Sequence, residues 1–209
     1  MKKQKISPPQ LGELIPGDFY LDDEVLYQDR ELSDSDQSYT TCENLIIQQS
    51  RLKNTQLVNS RLERFQATNV IFDKCDLSNC ELLGASLHQV EFRQCKLTGT
   101  NFAESYLRDC RFVDCLADYS SFSNTNLKSV AFNDCRLNET DFYDLTWKAL
   151  EITHCELTRS NWLHTPLNKL NLSSCDFESL SISSEQLRGL TVNPAQALII
   201  AAGLGLVIE

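Results

Sequence analysis

The 209-residue sequence predicts an all-β solenoid, a chain wound into a square coil of four short sides per turn, and three periodicities in it point there. Every fifth residue from Ile47 through Leu187 is apolar, 29 positions in succession with no insertion or deletion. With about 45% apolar residues as background, such a run has a chance probability on the order of one in ten billion. A second column, two residues earlier, is mostly small: it holds Ser50, Thr55, Ala85, Thr100 and eight of the nine cysteines. A third period is not imposed by the first two. Cys75, Cys95, Cys115, Cys135, Cys155 and Cys175 recur at every fourth step of the small column. Phe72, Phe92, Phe112 and Phe132 do the same in the apolar column, and Phe102, Phe122 and Phe142 form another such series.

Period five fits neither a helix at 3.6 nor a strand at 2.0. A chain that turns a corner every five residues, with one large and one small residue inward on each side, closes after four sides. Parallel turns then stack about 4.8 Å apart, with like residues in ladders.

Residues 1–44 hold no sustained register, although Leu32 and Cys42 fall on the extrapolated one. They read as an acidic N-terminal cap and first irregular coil, with ten acidic against four basic residues. A cap is needed because an open coil end exposes unpaired backbone to other chains. Residues 45–184 form the coil, about seven turns and roughly 34 Å at strand spacing. In residues 185–209, Asn193 as N-cap and Pro194 at the first helical position start a short helix over 195–202, which Gly203 stops. The apolar residues of this tail, Leu198, Ile199, Ala202, Leu204, Leu206, Val207 and Ile208, are too many to remain exposed. They predict a homodimer formed through it.

The net charge of −10 argues against direct nucleic-acid binding, which needs a basic surface, and favours a basic protein partner. No apolar run follows Lys2, Lys3 and Lys5, so no leader is expected. The longest apolar stretch, from Ala195 to Ile208, is interrupted by Gln196 and two glycines, and a membrane span needs about 20 residues. A cytoplasmic protein with reduced thiols is expected.

No Cys-x-x-Cys pair occurs, so neither metal nor cofactor is expected, and the cysteines read as small buried packing residues. His88, His154 and His164 fall on outward positions with no buried partner to tune them, and Trp147 and Trp162 fall in the central column. Catalysis is not expected.

The four-sided period also assigns the outward faces. One carries the basic series His88, Arg108, Lys128, Lys148 and Arg188. Two adjacent faces together carry eleven acids against five bases, a net −6. On the first of these lie Asp76, Asp118, Glu139, Glu156, Asp176 and Glu178; on the second, Glu81, Glu104, Asp141 and Asp144. These ten are the candidate partner-binding residues, and reversing Asp118, Glu139 and Asp141 is expected to weaken binding without unfolding the chain.

Segments such as Cys95-Lys96-Leu97-Thr98-Gly99-Thr100-Asn101-Phe102 and Cys75-Asp76-Leu77-Ser78-Asn79-Cys80 resemble the pentapeptide-repeat family. That resemblance covers about two thirds of the chain and implies a right-handed quadrilateral β-helix. The ending Leu187-Arg188-Gly189-Leu190-Thr191-Val192-Asn193-Pro194 and the stretches 96–115 and 155–162 are similar to the Qnr-type quinolone-resistance group. What that group implies is a dimeric, DNA-mimicking rod that binds DNA gyrase and topoisomerase IV and shields them from fluoroquinolones. Some members carry projecting loops that matter for protection; the unbroken register here leaves no room for them. The alternative reading is a structural or interaction rod with another protein partner and no topoisomerase activity.

Overall fold

The computed structural model describes residues 6–208; Lys2, Lys3 and Lys5 lie outside them. The first strands are β1 (Ile15–Gly17), β2 (Leu26–Gln28), β3 (Arg30–Ser33) and β4 (Thr41–Glu43). They are followed by β5 (Ile46–Lys53), β6 (Arg61–Glu63), β7 (Gln66–Asp73), β8 (Ser86–Arg93), β9 (Tyr106–Val113), β10 (Asn126–Asn133) and β11 (Thr146–Thr153). Two short strands, β12 (Ser160–Trp162) and β13 (Leu180–Ile182), precede a C-terminal helix, α1 (Pro194–Gly203). The main sheet runs β1-β3-β5-β7-β8-β9-β10-β11 with every pair parallel. From Leu26↔Ile46 to Ser160↔Leu180 each residue pairs with its equivalent four sides on, and the result is a β-solenoid of about eight turns.

The coil therefore begins before residue 45. Leu32 and Cys42 are buried in its core, and Tyr27, also on the extrapolated register, packs against it. Gln37 breaks the apolar column there, which hid this turn in the sequence. Its amide is held instead by the segment that precedes it: Leu21 N donates to Gln37 Oε1 at 3.1 Å, and Gln37 Nε2 donates to Ser35 Oγ at 3.2 Å. β1 pairs with β3 through Ile15↔Arg30 and Gly17↔Leu32, so the first winding is one side short of a full turn.

Every fifth residue, two after the central one, makes the corner. From Glu24 to Lys169 these positions hold φ between 46° and 74°. Where the corner closes with a hydrogen bond, as in Thr100 N to Leu97 O at 3.0 Å or Cys80 N to Leu77 O at 3.0 Å, the turn needs positive φ at its third residue. Asn, Asp and Gly tolerate that conformation best, and they fill many corners, among them Asp34, Asn54, Asn59, Asn79 and Asn124. At Gly99 a second constraint adds to the first, since a Cβ would stand 2.3 Å from Asn79 Oδ1 in the turn beneath.

Two ladders of rings fill the core. Phe72, Phe92, Phe112 and Phe132 stack with centroids 4.8, 4.9 and 4.6 Å apart. Phe102, Phe122, Phe142 and Trp162 stack at 4.9, 5.5 and 4.2 Å. The ladders meet edge to face, as between Phe102 and Phe112 at 6.0 Å. Trp147 is only partly buried, because its ring nitrogen reaches out to donate to Pro166 O at 2.6 Å.

The small column has a second duty besides fitting. Its hydroxyls and thiols donate to carbonyls of the turn before: Thr100 Oγ1 to Leu77 O at 2.7 Å, Thr165 Oγ1 to Phe142 O at 2.6 Å, Cys95 Sγ to Phe72 O at 3.4 Å. All nine cysteines are free and buried.

α1 closes the C-terminal end. Asn193 and Gln196 form a reciprocal cap: Gln196 N donates to Asn193 Oδ1 at 3.0 Å and Asn193 N donates to Gln196 Oε1 at 2.8 Å. Buried Gln196 then gives its Nε2 protons to Leu172 O at 2.9 Å, which also accepts Cys175 N at 2.9 Å, and to Cys175 O at 2.6 Å, tying the helix to the last turn. Gly203 is the last helical residue, not the stop. The left-handed residue is Gly205, with φ 91°, and Leu206 N donates to Ala201 O at 3.0 Å, closing a Schellman motif.

Two outcomes follow for stability. Phe112→Ala removes the ring sandwiched between two others and is expected to cost about 3–5 kcal/mol, against about 1 kcal/mol for Phe112→Leu, read from urea unfolding. The thiols set an alkaline limit. Burial pushes Cys80 and Cys110 from an ordinary 9.0 up to about 12, and Cys42 and Cys175 up to about 11. A raised folded-state value means that stability is intact below the unfolded pKa and is lost as pH rises above it. The unfolding free energy under reductant, read from urea titrations, is thus expected to be flat to about pH 9 and to fall beyond it, by up to about 1.4 kcal/mol per pH unit per thiol. Cys110→Ala is expected to make that fall shallower.

Candidate functional site

In-register stacking turns each outward position into a row along the rod, so the two acidic faces are physically continuous. The bridges Asp76↔Lys96, Glu81↔Asn101, Arg136↔Glu156 and Glu156↔Asp176 fix their spacing. Stacking also puts charges directly opposite one another, and the sequence interleaves cations to relieve this. Asp76 lies 3.3 Å from Lys96 Nζ, Arg136 Nε donates to Asp118 Oδ2, and Arg159 Nη2 donates to Glu139 Oε1.

The ten candidate acids are thereby sorted into four kinds. Asp118 is buried at 7% exposure and also accepts Asn138 N at 3.0 Å, so it holds the face together and does not present a charge to a partner. Reversing it would bury a lysine against Arg136, which makes Asp118 unsuitable for the charge reversal the sequence pointed to. Asp76 and Glu139 are ion-paired. Asp141 is held by neutral donors, Ser123 Oγ at 2.6 Å, Asn161 Nδ2 at 2.9 Å and Tyr143 N at 3.1 Å, and Glu81 accepts Asn101 Nδ2 at 2.8 Å. The remaining acids, Glu156, Asp176, Glu178, Glu104 and Asp144, are exposed; Glu156 accepts Asn138 Nδ2 at 3.1 Å, and among the described residues none of the five has an ion-pair partner. Glu156, Asp176 and Glu178 cluster toward the C-terminal end of one face. Three of the five acids without an ion pair therefore gather at that end of one face, while Glu104 and Asp144 lie on the adjacent face.

That end carries a shallow open groove lined by Asp118, Tyr119, Glu139, Arg159, Asp176 and Glu178. Tyr119 is not among the candidates. It sits at a corner with φ 61°, a position usually given to Asn, Asp or Gly, and is 61% exposed. A bulky aromatic in a corner column is the sequence signal for it.

On the opposite charge, His88, Arg108, Lys128 and Lys148 stand in register on β8, β9, β10 and β11. Asp109 is the acid beside them, 3.5 Å from Arg108 Nε. His154 Nδ1 lies 3.5 Å from Asp134 Oδ1, both side chains well exposed. Among the described residues no group of three His, Cys, Asp or Glu side chains is placed to hold a metal ion, and no helix is long and apolar enough to cross a membrane.

Of the candidate dimer residues, Leu198, Leu204, Leu206, Val207 and Ile208 remain 43–89% exposed, and Ala202 is exposed too. Ile199 instead packs, partly buried, against the chain's own core together with Ile200.

Two family models match the coil: one described as a pentapeptide repeat region over residues 85–162, the other as pentapeptide repeats in eight copies over residues 66–99. No curated protein is similar enough to count as a match. Among solved structures, full-length QnrB1, a plasmid-mediated fluoroquinolone resistance protein, is 16% identical; the match covers 91% of this chain and 100% of that one with a TM-score of 0.49. A trypsin-treated QnrB1 variant is 17% identical over 88% of this chain and 100% of that one, TM-score 0.34. A pentapeptide repeat protein, Rfr23 from the cyanobacterium Cyanothece 51142, is 13% identical over 62% of this chain and 85% of that one, TM-score 0.21. At these identities and TM-scores the three carry no argument about function. The square coil, its apolar centre every five residues and both family models agree that residues 66–162 are a run of pentapeptide repeats.

Proposed function

We propose that the chain is a cytoplasmic, non-enzymatic protein-binding rod that docks an acidic face into the basic DNA-binding groove of type II topoisomerases, DNA gyrase and topoisomerase IV, and so protects them from fluoroquinolones. The observation that carries this is the continuous pair of acidic faces on a stacked coil, with Glu156, Asp176 and Glu178, none of them ion-paired among the described residues, beside exposed Tyr119. Support also comes from the Qnr-like ending, whose Asn193-Pro194 start folds as the expected capped helix. Duplex DNA presents a charge every ~1.7 Å of axis, denser than these faces, so the rod imitates only part of a duplex and binds by one end of a face.

Dimerisation belongs to the same reading. The outer side of α1 and the residues after it leave Leu204, Leu206, Val207 and Ile208 uncovered, and pairing with a second copy would cover them while doubling the rod. The second reading, an interaction rod for a different partner, rests on the same stacked surfaces without the topoisomerase.

Titration into a gyrase supercoiling assay tests the proposal. With a fluoroquinolone present, the protein is expected to restore supercoiling at low micromolar concentration and to inhibit only above that; no effect on gyrase or topoisomerase IV contradicts it. Glu156→Lys, Asp176→Lys and Glu178→Lys together are expected to weaken binding by about tenfold or more while leaving the melting curve unchanged. Sedimentation at micromolar concentration is expected to show a dimer, and Leu206→Asp with Ile208→Asp a folded monomer.

A further inference from the structure

Residues 6–10, Ile6-Ser7-Pro8-Pro9-Gln10, run along the outside of the coil, parallel to its axis, held by side chains of successive turns. Arg111 Nη2 donates to Ile6 O at 2.9 Å and Ser7 N donates to Asp109 Oδ1 at 3.2 Å. Gln89 Nε2 donates to Pro8 O at 3.3 Å and Gln10 N donates to Asn69 Oδ1 at 3.0 Å.

Asn69, Gln89 and Asp109 form one corner column through three successive turns, with φ of 56°, 53° and 53°. From Ser7 to Gln10 the segment passes two turns, about 9.6 Å at strand spacing, so it is close to fully extended. The match of groups is specific. Two backbone N–H groups meet two carboxylate or amide oxygens, two carbonyls meet a guanidinium and an amide, and the prolines between have no N–H to leave unpaired. Ile6 is buried at 6% exposure. The row beside the column carries Ile71 and Ala131, both buried, where its other members from β3 to β11 are Glu31, Arg51, Glu91, Arg111 and Glu151.

Among the described residues no backbone–backbone hydrogen bond ties residues 6–14 to the coil. Every strand of the coil has such bonds; this segment is held the way a bound peptide is held. We propose that the corner column Asn69–Gln89–Asp109, with Arg111, is a binding site for an extended, proline-containing peptide, filled here by the chain's own residues 6–10 and open to such a segment from another chain when they leave. The site lies at a corner away from the acidic faces and stands whether or not the topoisomerase reading does.

A dye-labelled peptide of residues 6–13 is titrated into the full-length protein and into two full-length variants that release the segment: Ile6→Asp, which puts a charge in its buried anchor, and Ser7→Pro, which deletes the N–H donated to Asp109. An occupied site raises the apparent Kd by the inverse of its open fraction, so both variants are expected to bind the peptide about tenfold or more tighter than the parent. Adding Arg111→Ala is expected to weaken that binding about fivefold. Faster amide exchange at Gln10 in both variants, and at Ser7 in Ile6→Asp, with an unchanged melting curve, shows release. Absence of saturable binding after release, or equal binding of a scrambled peptide, overturns the proposal. So does a segment that stays docked in both variants, because the contacts named would not then be what holds it.

Discussion

Everything in this molecule depends on the parallel backbone pairing of each residue with its equivalent one turn on. Apart from the bonds that close its corners, each turn satisfies its peptide groups through the turns above and below it, as in Leu97 N to Leu116 O at 2.7 Å and Leu116 N to Cys95 O at 3.0 Å. A square coil therefore cannot exist as a single turn, and its ends need covers. At the C-terminus Gln196 supplies the donors itself. The same pairing dictates the core, because a residue's principal neighbours are its own equivalents. Stacked Phe and stacked Cys are the natural solution: one gains from offset ring packing, and the other is small enough to fit and still carries a donor for the carbonyl behind it.

Stacking is less kind to charge. Like residues in register bring like charges within strand spacing, which is destabilising. The acidic faces meet this by alternation, Asp76 under Lys96 and Glu139 under Arg159, which leaves Glu156, Asp176 and Glu178 on one face and Glu104 and Asp144 on the other without an ion pair. The row His88, Arg108, Lys128 and Lys148 meets it less completely, with Asp109 alone alongside. A count of formal charges per face overstates what a partner would feel, and pairing along the axis decides the remainder.

The coil was legible because its period is rigid: one missing residue would rotate every later side chain off its face, so 29 apolar centres in succession admit one architecture. The ladders of Phe and Cys, one rung per turn, followed from the same arithmetic. The first turn was not legible, because Gln37 occupies a core-facing place and is satisfied by Leu21 N and Ser35, contacts no periodicity announces. The burial of Asp118 escaped for a related reason: outward position does not ensure exposure when Arg136 folds across from the next turn. The segment at residues 6–10 obeys no period, and only its contacts with Asn69, Gln89, Asp109 and Arg111 give it a place.

The central claim is that the whole four-sided turn, and not the single side, is the unit of stability. Two deletions separate them, compared by urea unfolding. Removing residues 115–134 takes out one whole turn and returns every ladder to register; removing 130–134 keeps the period of five but sets Leu137 on Phe112 in place of Phe132 and shifts every later row. The account predicts a cooperative transition close to the parent for the longer deletion and a clearly lower midpoint for the shorter one. Equal stability of the two, or failure of the longer deletion to fold, would contradict it.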